Sequence, residues 1–184
     1  MKATGIVRRI DELGRIVIPK EIRKTLRIRE GDPLEIYTDR DGEVILKKYS
    51  PIGELSDFAS QYADTLFKTS GFITCITDRD TVVAVSGASK KEYQSKRVSA
   101  ELEKIITEKA TVIIKTPDEK PISITADEAG ERRYSSQVVT TIMSEGDPIG
   151  AVVIMSLDPN ARLGEVETKL AQSAAGVLGR QLEQ

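Results

Sequence analysis

The side chains with the greatest chemical capacity in this sequence are cations gathered near its start. Residues 1–29 hold nine basic groups (Lys2, Arg8, Arg9, Arg15, Lys20, Arg23, Lys24, Arg27 and Arg29) against three acidic ones (Asp11, Glu12 and Glu21). Residues 51–184 hold fifteen basic and twenty acidic groups, so a chain of net charge −2 is strongly polarised along its length. At roughly 100° per residue of helix, Lys20, Arg23, Lys24 and Arg27 fall on one arc about 100° wide, with Ile22 and Leu26 opposite. Solvated helix faces usually mix signs, because oppositely charged neighbours one turn apart stabilise them. This face carries one sign only, with Arg8, Arg9 and Arg15 close by in sequence. Such a cluster suits phosphate neutralisation with release of counterions, and arginine can in addition read guanine edges bidentately. These residues point to a nucleic-acid partner, double-stranded DNA being one such, with a merely solvated helix face as the alternative.

Other chemistries are poorly provided for. Cys75 is the single cysteine and there is no histidine. Intramolecular disulfides, Cys–His metal sites, Ser–His–Asp triads and Cys–His nucleophile pairs are therefore not expected. Cys75 lies in the apolar stretch Phe72-Ile73-Thr74-Cys75-Ile76 and reads as a buried, inert thiol. No catalytic residue, metal or cofactor is assigned, and the chain is expected not to be an enzyme. Thr74, Ser86, Ser89 and Ser136 could line a pocket, but scattered hydroxyls more often satisfy local backbone groups. No ligand site is named from them. There is no apolar run of about eighteen residues and no apolar stretch at the start, so neither a membrane span nor a secretory signal is expected, and the cytoplasm is the expected location.

The elements that must position the cations are short. Thr4–Ile10 and Arg15–Ile18 read as strands around the turn Asp11-Glu12-Leu13-Gly14. Pro19 suits the first position of a helix running over Lys20–Arg27, which Glu30-Gly31-Asp32-Pro33 ends. Leu34–Thr38 and Glu43–Lys48 read as a hairpin around Asp41-Gly42. About fifty residues of such elements make a thin core, and without disulfides or metal, oligomerisation is the remaining source of stability. An intertwined homodimer is expected.

A seam near Tyr49-Ser50-Pro51-Ile52-Gly53 divides residues 1–53 from a second domain, 54–184. There Glu54–Thr69 reads as a helix, Phe72–Thr77 and Thr81–Ser86 as strands, and Ser99–Glu108 as a helix. Pro121–Ala126, Tyr134–Ser144 and Ile149–Ser156 read as strands and Leu163–Leu182 as a closing helix. A mainly antiparallel sheet with flanking helices gives an α+β class. The closing helix carries Ala171, Ala174, Ala175, Gly176 and Gly179. A helix-on-helix contact between subunits and packing against the sheet both account for these small residues.

The stretch Thr4-Gly5-Ile6-Val7-Arg8-Arg9-Ile10-Asp11-Glu12-Leu13-Gly14-Arg15-Ile16-Val17-Ile18-Pro19-Lys20-Glu21-Ile22-Arg23 resembles the AbrB-type DNA-binding domain. The likeness continues through Leu34-Glu35-Ile36 and Ile45-Leu46-Lys47-Lys48-Tyr49. It implies a swapped-hairpin β-barrel formed by two chains, with DNA contacts falling on Arg8, Arg15 and Arg23. Lys24 stands where the family has a further arginine, which keeps the charge and loses the fork. Arg9, Lys20 and Arg27 are expected to add to the same surface. The second half is similar to GAF-like domains in a family of sporulation regulators of endospore-forming bacteria. That similarity rests on Thr77-Asp78-Arg79-Asp80, Ser86-Gly87, Gly146-Asp147-Pro148-Ile149-Gly150-Ala151-Val152-Val153-Ile154 and Gly164-Glu165-Val166-Glu167. It implies transcriptional activation and repression in the forespore, at the nucleoid. It also implies a homotetramer through GAF-like domain helices, and leaves an unknown small-molecule effector open.

Two other functions compete. AbrB-type folds also occur in antitoxins, which would make the chain a protein-interaction module. An antitoxin usually follows the barrel with a flexible, toxin-wrapping tail, whereas residues 54–184 have globular patterning. Some GAF-like domains reduce methionine sulfoxide with cysteines, but that cycle usually needs a resolving thiol besides the nucleophile, and Cys75 is alone.

Overall fold

Alternation of apolar residues decides how the larger part of the chain is layered. In the computed structural model, which describes residues 4–128 and 134–183, the chain forms two compact units, 1–49 and 50–184. Lys2 lies outside the described residues.

Among its described residues the first unit has one helix, α1 (Lys20–Leu26), and one hairpin, β1 (Leu34–Thr38) with β2 (Val44–Lys48). Pro19 stands one residue earlier than expected, as the N-cap, and its carbonyl accepts the Arg23 N–H at 3.0 Å. The hairpin pairs Leu34 with Lys48 and Thr38 with Val44 across the Asp-Gly turn. Lys48 Nζ donates to the Arg27 carbonyl at 3.0 Å and so ties the helix end to β2.

The expected strands over Thr4–Ile10 and Arg15–Ile18 carry no sheet ladder; among the described residues, β1 and β2 are the strands of this unit. The physical reason is pairing. A strand needs a neighbouring edge, and in one chain the two runs meet at the bond that closes their turn, Asp11 N–H to the Arg15 carbonyl at 3.0 Å, with no ladder beyond it among the described residues. Their apolar side chains face outward: Val7 is 86% exposed, Ile10 65% and Val17 72%. Leu26, Ile36 and Val44 are exposed as well, so the face of α1 read as core-facing finds little core in a single chain.

The second unit is an antiparallel five-stranded sheet in the order β4-β3-β7-β6-β5, formed by β3 (Ile73–Asp78), β4 (Val82–Ser86), β5 (Thr111–Ile114), β6 (Ser136–Ser144) and β7 (Asp147–Ser156). Period-two alternation sorts its side chains into two cores. Ile76, Ala84, Val138, Ile142, Val152 and Ile154 meet α3 (Ser56–Ser70) and α6 (Glu165–Gln181). Cys75, Val85, Val139, Ala151, Val153 and Met155 meet α5 (Ala100–Thr107) and the loops beside it on the opposite face. A short helix, α2 (Pro51–Glu54), starts the unit, with Ile52 buried and the Ser50 hydroxyl capping the Gly53 N–H at 3.0 Å. Residues 50–53, read from sequence as part of the seam, thus pack with the second unit. Another short helix, α4 (Lys90–Tyr93), follows β4.

Pro121–Ala126 is not a strand. Pro121 has no N–H to offer a ladder; the backbone pairing of the segment is an isolated bridge of Thr125 with Val98, and side chains hold the N–H groups of residues 122–124. The Gln137 amide exchanges both bonds with Ile122, at 2.8 and 2.9 Å. Glu101 accepts the Ser123 N–H and Glu128 accepts the Ile124 N–H. β5, whose Thr-Val-Ile-Ile run is rich in β-branched residues, forms the sheet edge instead. Of the small residues on α6, Ala171, Ala174, Ala175 and Gly179 are buried in this unit, whereas Gly176 faces open space. No helix among the described residues is long and apolar enough to cross a membrane.

Candidate nucleic-acid interface

The cations are held by the turn and the helix of the first unit, and Arg8, Arg9, Arg15, Lys20, Arg23, Lys24 and Arg27 are all exposed. The turn is organised by one carboxylate. Asp11 Oδ1 accepts the N–H groups of Leu13 and Arg15 at 2.9 and 2.8 Å, and Gly14 takes φ +74°, a conformation that a side chain would strain. Asp11 Oδ2 accepts Arg15 Nε at 2.8 Å. The backbone N–H and then the guanidinium of Arg15 hold the Asp11 carboxyl below the usual carboxylate range. Arg8 donates to its neighbour's carbonyl, of Val7, at 3.4 Å.

On α1, Lys20, Arg23 and Lys24 keep helical spacing. Arg27 does not: it follows the last helical residue in the left-handed region, φ 53°, with its N–H on the carbonyls of Arg23 and Lys24. The continuous arc read from the sequence therefore holds for three of the four. No carboxylate among the described residues pairs with Lys20, Arg23 or Lys24. In sequence, Asp11 reads as a turn former only. Its spacing of four from Arg15, across a glycine turn, was the signal that it also holds a guanidinium.

The hydroxyls considered for a pocket in the second unit serve local structure. Thr74 donates to the Phe72 carbonyl, Ser86 to Asp64, and Ser136 to the Ile114 carbonyl while accepting the Leu163 N–H. Ser89 caps α4 with no side-chain bond. Cys75 is fully buried, and burial first, then the Glu128 charge, push its thiol well above the ordinary range. Among the described residues, no group of three or more His, Cys, Asp or Glu side chains could hold a metal ion.

Residues 54–183 match the family described as "Stage V sporulation protein T C-terminal, transcription factor", and residues 7–54 match "Antidote-toxin recognition MazE, bacterial antitoxin". The chain is 56% identical over 184 residues, the whole of both chains, to stage V sporulation protein T of Bacillus subtilis. It is 60% identical over 63 residues to the transition state regulatory protein AbrB of the same organism, covering 31% of this chain and 65% of that one. In fold it is similar to the GAF domain of an Acinetobacter phosphoenolpyruvate-protein phosphotransferase, with a TM-score of 0.58, 11% identity, and 74% of this chain and 84% of that one covered.

Proposed function

The chain belongs to the stage V sporulation protein T family of transcription factors, and from that premise we propose that it binds double-stranded DNA through the cations of its first unit. The observation that carries this reading is the exposed set Arg8, Arg9, Arg15, Lys20, Arg23, Lys24 and Arg27, in which Lys20, Arg23 and Lys24 have no carboxylate partner among the described residues. Cations without an internal partner are the ones that neutralise phosphate and release counterions. DNA binding is assigned to the first unit, residues 1–49, and regulation to the GAF-like unit, residues 50–184.

Two chains complete the DNA-binding unit. Val7, Ile10, Ile16, Val17, Leu26, Ile36 and Val44 are more than half exposed in one chain, far more apolar surface than so small a unit leaves in water once assembled. Homodimerisation buries it in an interlocked barrel and supplies the ladder that residues 4–10 and 15–18 lack. The outer face of α6, with Val166, Gly176 and Val177 exposed, joins dimers into a tetramer. Several cationic surfaces then act on one duplex through effective concentration. The GAF-like half sets their spacing, and an effector there adjusts promoter choice. The protein acts on sporulation genes, as activator and repressor, at the forespore nucleoid in the cytoplasm. It is not an enzyme and uses no cofactor.

Fluorescence anisotropy of the full chain on duplex DNA across salt tests this, beside Arg23→Ala. A protein making about six to ten phosphate contacts loses about 10³–10⁵-fold in affinity between about 50 and 200 mM salt. Arg23→Ala should bind more weakly with a slope shallower by about one. Wild-type binding that does not respond to salt refutes the reading.

The antitoxin match over residues 7–54 favours a second function, capture of a protein partner. The structured second unit weighs against it, because a toxin-wrapping tail is extended before it binds. Limited proteolysis separates the two: a resistant fragment beginning near residue 50 supports the regulator, and digestion of everything past the hairpin supports the antitoxin.

A further inference from the structure

An acidic side chain within a phosphate-binding surface repels the ligand, so Asp11 requires an account. Stability does not supply one, since the Asp11–Arg15 pair is exposed, with 39% and 70% of the side chains accessible, and exposed ion pairs add little. Asp11 instead makes several bonds at once to the same short segment. Oδ1 holds the backbone of Leu13 and Arg15, Oδ2 holds Arg15 Nε, and the main chains of Asp11 and Arg15 are joined at 3.0 Å. With Nε engaged, the free edge of the guanidinium is its pair of terminal Nη groups, projecting from a fixed turn.

Resting on the DNA-binding reading above, we infer that Asp11 is a positioning residue that makes Arg15 a reader of base edges, while the unpaired cations of α1 contact phosphate. Two consequences of the geometry support the division. A guanidinium whose charge is matched by a carboxylate releases few counterions, so Arg15 is a poor phosphate anchor. A guanidinium held at Nε and presented end-on loses little rotamer entropy when its two Nη groups meet O6 and N7 of a guanine. Lys20 and Lys24 have no fork to present, and together with Arg23 they have no carboxylate to oppose their charge, which fits them to phosphate.

The test uses full-length protein and two duplexes of equal length and base composition. One is enriched from a random-sequence pool by the wild-type chain, and the other is its scrambled counterpart. Asp11→Asn removes the charge and keeps an oxygen for the turn. It should bind the scrambled duplex more tightly and the enriched duplex more weakly, lowering the ratio between them by about 5- to 150-fold, the worth of one bidentate base contact. Arg15→Lys should lower that ratio similarly with the salt slope nearly unchanged. Arg23→Ala should weaken both duplexes by the same factor. Equal tightening on both duplexes by Asp11→Asn overturns the inference, because the carboxylate is then only a repulsive charge. Equal weakening with a lowered Tm overturns it too, since Asp11 then only builds the turn. If no sequence is enriched while wild-type binding still falls with salt, base reading by Arg15 fails and the phosphate role of α1 stands. Wild-type binding without salt dependence defeats the parent reading itself.

Discussion

Tyr134 donates its phenolic proton to Glu128 Oε2 at 2.9 Å, in the core on the side of the sheet away from α3 and α6. Tyr93 Oη lies 3.0 Å from Tyr134 Oη, and with the Tyr134 proton committed, Tyr93 is the donor of that second bond. The Glu128 carboxylate also accepts the Ile124 N–H at 3.0 Å and the Thr125 hydroxyl at 3.2 Å. A carboxylate 4% exposed is thus surrounded by donors and pins the loop that replaces the expected strand at Pro121–Ala126.

Removing one of those donors should cost more than an average hydrogen bond. Tyr134→Phe leaves Glu128 short of a partner in a place water does not reach, and should destabilise the second unit by about 1–3 kcal/mol. Tyr93→Phe, one bond further from the charge, should cost less. Urea denaturation of both variants checks the order.

Alkaline pH should destabilise the fold through the same core. Burial raises the Cys75 thiol above its ordinary 9.0 and the Tyr134 phenol above its ordinary 10.0. Both groups therefore keep their protons in the folded chain after the unfolded chain has begun to release them. Their contribution is complete below those ordinary values and declines as pH rises past them, by up to about 1.4 kcal/mol per pH unit for each group. Cys75→Ala should flatten the decline between about pH 9 and 10. The comparison is urea denaturation at both values in wild type and variant.

Two glycines on α6 should respond in opposite ways. A Cβ on Gly179 would lie 1.9 Å from the Met143 carbonyl oxygen, so Gly179→Ala must push the helix off β6 and should cost about 1–3 kcal/mol or more. Gly176 has nothing within 4 Å in one chain, so Gly176→Ala should leave the fold of the unit itself as stable or up to about 1 kcal/mol more so, from helix propensity, whatever it does to the contact between chains on that face. Thermal unfolding of residues 50–184 alongside the full chain reads both.

Charge placed on the exposed apolar residues of the first unit should split the assembly. Val17→Asp and Ile36→Asp are substitutions at positions 72% and 66% exposed in one chain, where a monomer would tolerate them. Buried in a dimer, each leaves an unpaired carboxylate and should cost several kcal/mol. Sedimentation velocity should show a halved assembly and anisotropy a loss of DNA binding. Unchanged sedimentation would remove the intertwined dimer.

The cationic surface was legible in the sequence because charge and helical spacing are local properties. Lys20, Arg23 and Lys24 share a helix face for the same reason that the periodicity announced it. Arg27 escaped that arithmetic, since the left-handed residue ending α1 comes from how the chain turns towards β1, and helical spacing carries no information about it. Asp11 was readable as a turn residue, but its grip on Nε of Arg15 needs the turn closed in three dimensions.

The sequence by itself determined that a basic helix would lie among short strand-patterned runs, and roughly where β3, β4, β6 and β7 would run. Hydrophobic period and turn chemistry act over a few residues, and they need no tertiary partner to be read. Only the tertiary structure decided that Gln137, Glu101 and Glu128 would satisfy the backbone of residues 122–124, leaving the sheet edge to β5. Only it decided that Thr4–Ile10 and Arg15–Ile18 would lack a ladder within one chain. Both outcomes turn on which distant groups reach an open hydrogen-bonding edge, and that competition is settled by packing.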